Sequence, residues 1–289
     1  MIDAQDTALI IEGGGMRAAY TAPVIVKLLQ EEVQFGWVGG ISAGSSHTMN
    51  FLSRDAKRAR DSFTSFAADT NFGGARSVLR GTGYFNAQYI YQDAAYSVLP
   101  YDYDTFLNNP AQMHIEATRA DTGETRAWQR EDIHGFDELA LAVRASSTLP
   151  GFMNIPFIDG HPYVDGAFGT SGGILIDAAE KAGFTKFVFI GTKVRDYIRP
   201  DNKRPRMVRQ AFRRYPKVAE AMIARPPIYN EAKQRVLKHE KAGQAYCFIP
   251  DTMPLSSGTL DQKKIQAAYT LGQAQINREW PAMKEFLKG

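Results

Sequence analysis

The chain has 289 residues, 44% of them hydrophobic and 22% charged, the balance of a protein that buries a core. Its formal charge of +3 does not by itself imply nucleic acid as a partner, and a single cysteine, Cys247, excludes a disulfide framework and a cysteine-built metal site. No apolar run reaches the roughly 18 residues of a membrane span, and Met1 to Thr7 is polar and acidic, without the basic start and apolar stretch of a signal peptide, so the sequence reads as cytoplasmic.

Ala8-Leu9-Ile10-Ile11 is a continuous apolar run that ends in Glu12-Gly13-Gly14-Gly15, as expected of a strand buried on both faces of a parallel sheet. A helix should follow with Val24, Ile25, Leu28 and Leu29 on one face. Pro23 falls inside it, and an interior proline costs about 3 kcal/mol, so a kink or a late start of the regular helix is expected. Phe35 to Ile41 reads as the second strand and Ser45 to Leu52 as a helix, the first βαβ unit being about 35 residues long. Ala56 to Ala68 is helix-like, and the glycines at 73, 74, 81 and 83 mark an irregular stretch. The tyrosines between Tyr84 and Tyr103 are read as ordinary packing in preference to the lining of a cleft.

Met113 to Thr118 and Glu124 to Trp128 flank Asp121-Thr122-Gly123 as a hairpin, and Phe136 to Ser146 reads as a helix. Ile155 to Ile158 and His161 to Asp165 flank Asp159-Gly160 as a second hairpin. Ile174 to Ala182 is a helix stopped by Gly183, and Lys186 to Ile190 another buried strand. Between Lys193 and Lys241 the chain carries fifteen Lys and Arg against five Asp and Glu. Helices are expected there at Tyr215 to Arg225 and Tyr229 to Lys241, and Arg204, Arg206, Arg209, Arg213 and Arg214 are close enough in sequence to form one basic patch. A strand at Ala245 to Ile249, burying the Cys247 thiol, and a helix from Asp261 to Leu287 complete the chain. Alternating strands and helices argue a single α/β/α domain over residues 1–289, with a mostly parallel central sheet and a helical, basic C-terminal region from about 193.

Three short stretches carry chemistry. Gly40-Ile41-Ser42-Ala43-Gly44 is a G-x-S-x-G between a strand and a helix, a turn that exposes the serine hydroxyl above a helix N-terminus. Gly13-Gly14-Gly15-Met16-Arg17 can aim backbone N–H groups at an oxyanion, with Arg17 holding the loop or stabilising charge. Asp165-Gly166-Ala167 ends a hairpin strand with two small residues that leave the carboxylate open to close approach.

Each has rivals. Gly13, Gly15 and Ala18 also fit a dinucleotide fingerprint, but the second strand ends in Gly40-Ile41-Ser42 without the acid that would hold ribose. An ordinary α/β-hydrolase needs a histidine after its acid. His239 is the only one after Asp165, in a helix rich in lysine and glutamate where a solvated surface position is expected. His47 should point away from the elbow, and His161 is read as a packing or surface residue.

At these residues the chain resembles the patatin-like phospholipase family. The Gly-rich loop at 13–17, the elbow at 40–44 and Asp165-Gly166-Ala167 match its three motifs in order and at similar spacing, and Ala145-Ser146 through Pro150 looks like a further segment of it. The resemblance covers about 8–192, and the charged remainder looks like a bacterial branch. It implies hydrolysis of phospholipid or other fatty acyl esters by a Ser-Asp dyad, without histidine, metal or nucleotide. Ser42 would be the nucleophile, Asp165 the base, and Gly13, Gly14, Gly15 and Arg17 the oxyanion loop. Ala18 stands where the family usually has glycine, and Phe168 to Gly173 lacks its usual Asn and Pro. The competing class is a catalytically silent lipid-binding or regulatory protein on the same fold. Contact of the basic 193–241 segment with an anionic membrane surface, at the inner face, is a further expectation.

Overall fold

The computed structural model describes all 289 residues. In chain order the elements are β1 (Ile2–Ile11), α1 (Ala18–Gln30), β2 (Val33–Gly40) and α2 (Ala43–Leu52), then short helices α3 (Ala56–Asp61), α4 (Ala75–Leu79), α5 (Ala87–Tyr91) and α6 (Tyr103–Asn108). There follow β3 (Gln112–Arg119), β4 (Thr125–Trp128), α7 (Phe136–Ser147), β5 (Phe157–Ile158), β6 (His161–Asp165), α8 (Ile176–Lys181) and β7 (Lys186–Ile190). The chain ends with α9 (Pro205–Ala211), α10 (Pro216–Lys241), β8 (Ala245–Phe248) and α11 (Gln262–Lys288). One sheet holds all eight strands in the order β5-β6-β3-β2-β1-β7-β8, with β4 paired to β3. β3, β2, β1, β7 and β8 run parallel, and β4, β5 and β6 supply the antiparallel edge.

The apolar runs follow from helices on both faces. Successive strand residues point to opposite faces, so a strand covered on both must be apolar throughout. Leu9, Ile11, Val188 and Ile190 join the core that includes α1, α2, α7 and α11, while Ala8, Ile10, Phe187 and Phe189 join the one built with α8 and α10. The fold is therefore the three-layer α/β/α arrangement expected, and no helix is long and apolar enough to cross a membrane.

Several local expectations change. β1 begins at Ile2, because Ile2 and Ala4 alternate into the core while Asp3 and Gln5 face water. α1 starts at Ala18 and runs through Pro23 to Gln30, with no late start. The two helices expected around residues 215–241 are one, α10, which continues across Pro226 and Pro227. Two donors are lost there, but Val218, Pro226, Tyr229 and Val236 are buried by the packing of α10, and tertiary contact overrides propensity. α11 is held by a buried network. The Tyr20 hydroxyl donates to Gln275 Oε1 at 2.7 Å, Gln275 Nε2 donates to the Ile249 carbonyl at 2.8 Å, and the Asp251 N–H donates to Gln275 Oε1 at 3.1 Å.

Candidate active site

β1 and β2 end side by side, Ile11 opposite Gly40, so the loops that follow them leave the sheet at one edge. Carboxyl ends of parallel strands are where α/β sheets hold ligands. β6 runs back antiparallel on β3, and its last residue, Asp165, lies opposite Ala117, two residues past Ile115, the partner of Gly40. The sheet thus brings the three motifs together from positions 13, 42 and 165.

Ser42 has φ 59° and ψ −128°, a left-handed backbone that a residue with a side chain adopts at a cost of order 1–3 kcal/mol. The elbow is held from both sides. Its N–H donates to Ser146 Oγ on α7 at 3.1 Å, and its carbonyl accepts the Ser45 N–H at 2.9 Å. The glycine loop and the elbow touch backbone to backbone. A methyl on Gly13 would lie 2.6 Å from the Ile41 carbonyl oxygen and 2.8 Å from Ser42 Cβ, and one on Gly44 2.2 Å from the Ile11 carbonyl oxygen. The N–H groups of Gly13, Gly14, Gly15 and Ala43 donate to no protein acceptor, whereas those of Met16 and Arg17 are taken by the Ser257 and Gly14 carbonyls at 3.0 and 3.3 Å. The Thr192 hydroxyl donates to the Gly13 carbonyl at 2.7 Å and fixes the loop from β7.

Asp165 is 2% exposed, and its Oδ1 accepts the Ala167 N–H at 2.9 Å. Burial pushes its carboxyl above the ordinary aspartate value, against the pull of the Arg225 guanidinium, the Ser42 hydroxyl, the Ala167 N–H and Arg199. Gly166 packs into the same junction, a methyl there falling 3.2 Å from Ile41 Cγ2. Arg17 follows the glycine loop and makes no ion pair with a carboxylate. Its guanidinium is lowered by burial and feels Glu12 most among the surrounding charges, with Arg199, Tyr197 and Tyr229 next.

Ser42 also lines an apolar cleft, together with Met16, Phe63, Phe66, Leu99 and Met153 among others. Phe85, Ile90 and Tyr91 also line it, which corrects the reading of the tyrosine-rich stretch as packing alone. Burial raises the Tyr91 hydroxyl to about 12, with Ser147, Asp165 and Ser46 also acting on it.

The histidines are occupied elsewhere. His47 is fully buried, lies 3.3 Å from the Ala18 carbonyl, packs on Phe63, and is lowered by desolvation to about 4. His239 is not the solvated residue expected: its ring nitrogens engage Glu180 at 2.8 Å and Gln244 at 2.9 Å, and it packs on Phe187. His161 accepts from Arg119 at 3.0 Å. The burial of Cys247 agrees with expectation.

Sequence reasoning passed over Glu12 and Arg225. Glu12 Oε2 accepts the Thr192 N–H at 2.6 Å and its Oε1 the Tyr229 hydroxyl at 2.8 Å, and Arg225 Nε donates to the Gly172 carbonyl at 3.0 Å. Glu12 had one signal, its place at the end of the first apolar run. Arg225 had none. The unusual Phe168–Gly173 loop is where α10 approaches: a methyl on Gly172 would fall 2.7 Å from the Tyr229 backbone nitrogen.

A family model described as patatin-like phospholipase matches residues 9–178, more than half of the chain. The chain belongs to the patatin-like phospholipase family. The matched span holds Gly13–Gly15, Ser42 and Asp165. A second model, described as a domain of unknown function (DUF6363), matches residues 215–288. The uncharacterized protein YjjU of Escherichia coli strain K12 is 26% identical over 190 residues, which are 64% of this chain and 51% of that protein. The chain thus spans about half the length of that curated relative. The solved structure of VipD from Legionella pneumophila aligns over 96% of this chain and 77% of its own, with a TM-score of 0.41 and 11% identity.

Proposed function

We propose that this protein is a serine hydrolase of fatty acyl esters, phospholipid or lysophospholipid among them, that works by a Ser42–Asp165 dyad with Gly13–Gly15 as its oxyanion loop. The observation that carries the reading is Ser42 on a strained elbow, between unpaired N–H donors on one side and a buried carboxylate with a raised pKa on the other. Asp165 takes the Ser42 proton as the hydroxyl oxygen attacks the ester carbonyl. Free N–H groups of the loop, with that of Ala43, receive the developing oxyanion. Asp165 then returns the proton to the leaving alkoxide, and water attacks the acyl-enzyme by the same route. The apolar cleft holds the acyl chain. The unit of function in this reading is the whole 1–289 chain.

The same reading sets α9 against an anionic lipid surface. Arg206, Arg213 and Arg214 are exposed there, Met207 is 61% and nearby Ile198 71% exposed, and each cation near such a surface contributes about 1 kcal/mol. Sedimentation with anionic vesicles should exceed that with neutral ones and fall with salt, and equal binding to both removes this contact.

The dyad is tested by turnover of medium-chain nitrophenyl esters. The wild-type protein should hydrolyse them, and Ser42→Ala should lose activity by about a thousandfold or more. A folded wild-type protein with no turnover, or an active Ser42→Ala, contradicts the reading and favours a silent lipid-binding protein.

A further inference from the structure

Beside the candidate dyad the chain gathers four cations, Arg17, Lys193, Arg199 and Arg225, none of which lines the acyl cleft. Three of them come from beyond residue 178, outside the span that matches the family. In that region Arg195 pairs with Glu240, Arg209 with Glu220 and Arg235 with Asp177 and Glu180, whereas these four make no ion pair with any carboxylate. All four are only partly exposed.

They are nonetheless held in place. Arg225 Nε is fixed on the Gly172 carbonyl. Asn230 accepts the Arg199 N–H at 2.8 Å and donates to its carbonyl at 3.0 Å, while the Arg199 guanidinium lies 4.7 Å over the Tyr229 ring. The Lys193 ammonium sits 4.4 Å over the Tyr197 ring, and Tyr197 packs edge-on against Tyr229. The Nε atoms of Arg17 and Arg199 are buried with no acceptor. Of the neighbouring carboxylates, Glu12 accepts through both oxygens from Thr192 and Tyr229, and Asp165 also acts on Arg225.

Like charges held together at low solvent exposure repel strongly, and the arrangement is relieved by an anion that several of them share. The mutual effect is visible in Lys193, which burial and then Arg17 lower to about 8, with Arg199 and Arg225 also contributing. A methyl on Gly173 would fall 3.2 Å from both Arg225 Nη2 and Ala167 Cβ, two residues past Asp165, so the cluster borders the position where an ester would be cut; Asp165 in turn feels Arg225 and Arg199.

We propose that Lys193, Arg199 and Arg225, with Arg17, bind the phosphate of a glycerophospholipid headgroup while its acyl chain occupies the apolar cleft at Ser42. The region matched only as a domain of unknown function then supplies part of the substrate site, through Arg225 at the N-terminal half of α10. This rests on the proposed hydrolase reading for the identity of the lipid. The phosphate site itself is testable without turnover.

The test uses full-length Ser42→Ala protein titrated calorimetrically with sn-glycerol 3-phosphate and with inorganic phosphate. Both should bind, and adding Arg199→Gln or Lys193→Met should weaken binding at least tenfold, the usual loss for one charge-assisted contact. Adding Lys238→Gln, which removes an exposed cation elsewhere on α10, should not. In the Ser42-containing protein, the kcat/KM ratio for phosphatidate over diacylglycerol in mixed micelles should fall at least tenfold in the same two variants. Circular dichroism checks that each is folded, and Lys193→Met serves where Arg199→Gln does not fold. An unchanged ratio with intact phosphate binding means a free-phosphate site and overturns the headgroup assignment. Equal weakening by Lys238→Gln, or no phosphate binding, overturns the site. A protein inert on every ester that still binds phosphate through Arg199 fails the hydrolase reading and the lipid assignment, and leaves the anion site standing.

Discussion

Residues 9–178 and residues 193–288 differ in what fixes their functional groups. In the first region the chemistry sits on backbone. Ser42 is placed by a turn, the free N–H groups belong to glycines, and Asp165 is the last residue of a strand, so strand ends and tight turns set the site. In the second region it sits on long side chains. The proposed anion site draws Arg199 and Lys193 from loops and Arg225 from a helix, and neighbours in the same sequence, Arg209 and Arg235, end in surface ion pairs. A site built on backbone should fail in rate when altered. One built on long side chains should fail in selectivity, and the packing that carries it in stability.

The largest effect expected is in the first region. Asp165→Asn keeps the shape and removes the proton acceptor, so ester turnover should fall about a thousandfold or more. His47→Gln, His161→Gln and His239→Gln should each stay within about tenfold, since none is given proton transfer. Purified-enzyme kinetics decides it: an active Asp165→Asn beside one dead, folded histidine variant would replace the dyad with a triad.

Gly13→Ala comes next. Its methyl must displace Ser42 or the Ile41 carbonyl, so the loop shifts and oxyanion donors are lost. The expected fall in kcat is about 10²- to 10³-fold, with the melting temperature much less affected. A variant with normal kcat would separate the glycine loop from the chemistry.

In the C-terminal region Gln275→Leu should act on stability instead. It leaves the Tyr20 hydroxyl, the Ile249 carbonyl and the Asp251 N–H without their partner, at about 1–3 kcal/mol for a buried group left unpaired. Loss of about 3 kcal/mol would lower Tm by about 6–12 °C, read by calorimetry, while kcat of the folded protein stays near wild type. A kcat that falls in proportion would mean that α11 bears on the site directly.

The smallest effect is a pH signature of Asp165. Its folded pKa is raised by burial, so the native state holds the proton more tightly than the unfolded chain. Stability from this group is full at low pH and is lost as pH rises through the raised folded pKa. Above that pH Asp165→Asn should melt higher than wild type, by about 2–4 °C for each kcal/mol of strain removed, with the gap closing in acid. The acid limb of kcat/KM should likewise lie above about pH 3.9, because the carboxylate is the working form. A variant that melts lower at neutral pH would mean that the charge is stabilised where it lies.

The contrast between regions also explains what could be read from the residues. Sheet membership showed in the apolar runs at Ala8–Ile11 and Lys186–Ile190, because strands covered on both faces cannot be patterned otherwise. The gathering of Gly13, Ser42 and Asp165 showed in motif spacing, because each stands at a strand end. α10 was read as two helices because Pro226-Pro227 is a local breaker, and only the packing of Tyr229 and Val236 outweighs it. Tyr91 and Arg225 were illegible for a different reason: nothing in a residue's neighbours along the chain records that Tyr91 lines the cleft or that Arg225 reaches the Gly172 carbonyl.

The central claim, that Ser42 is the nucleophile, is tested most directly by labelling the full-length protein with a serine-directed phosphonate and locating the adduct by mass spectrometry. The account predicts one adduct, on Ser42, with ester hydrolysis lost in step with labelling and with labelling slowed strongly in Asp165→Asn. An adduct on Ser146 or Ser171 instead, or hydrolysis that survives complete labelling of Ser42, would contradict it.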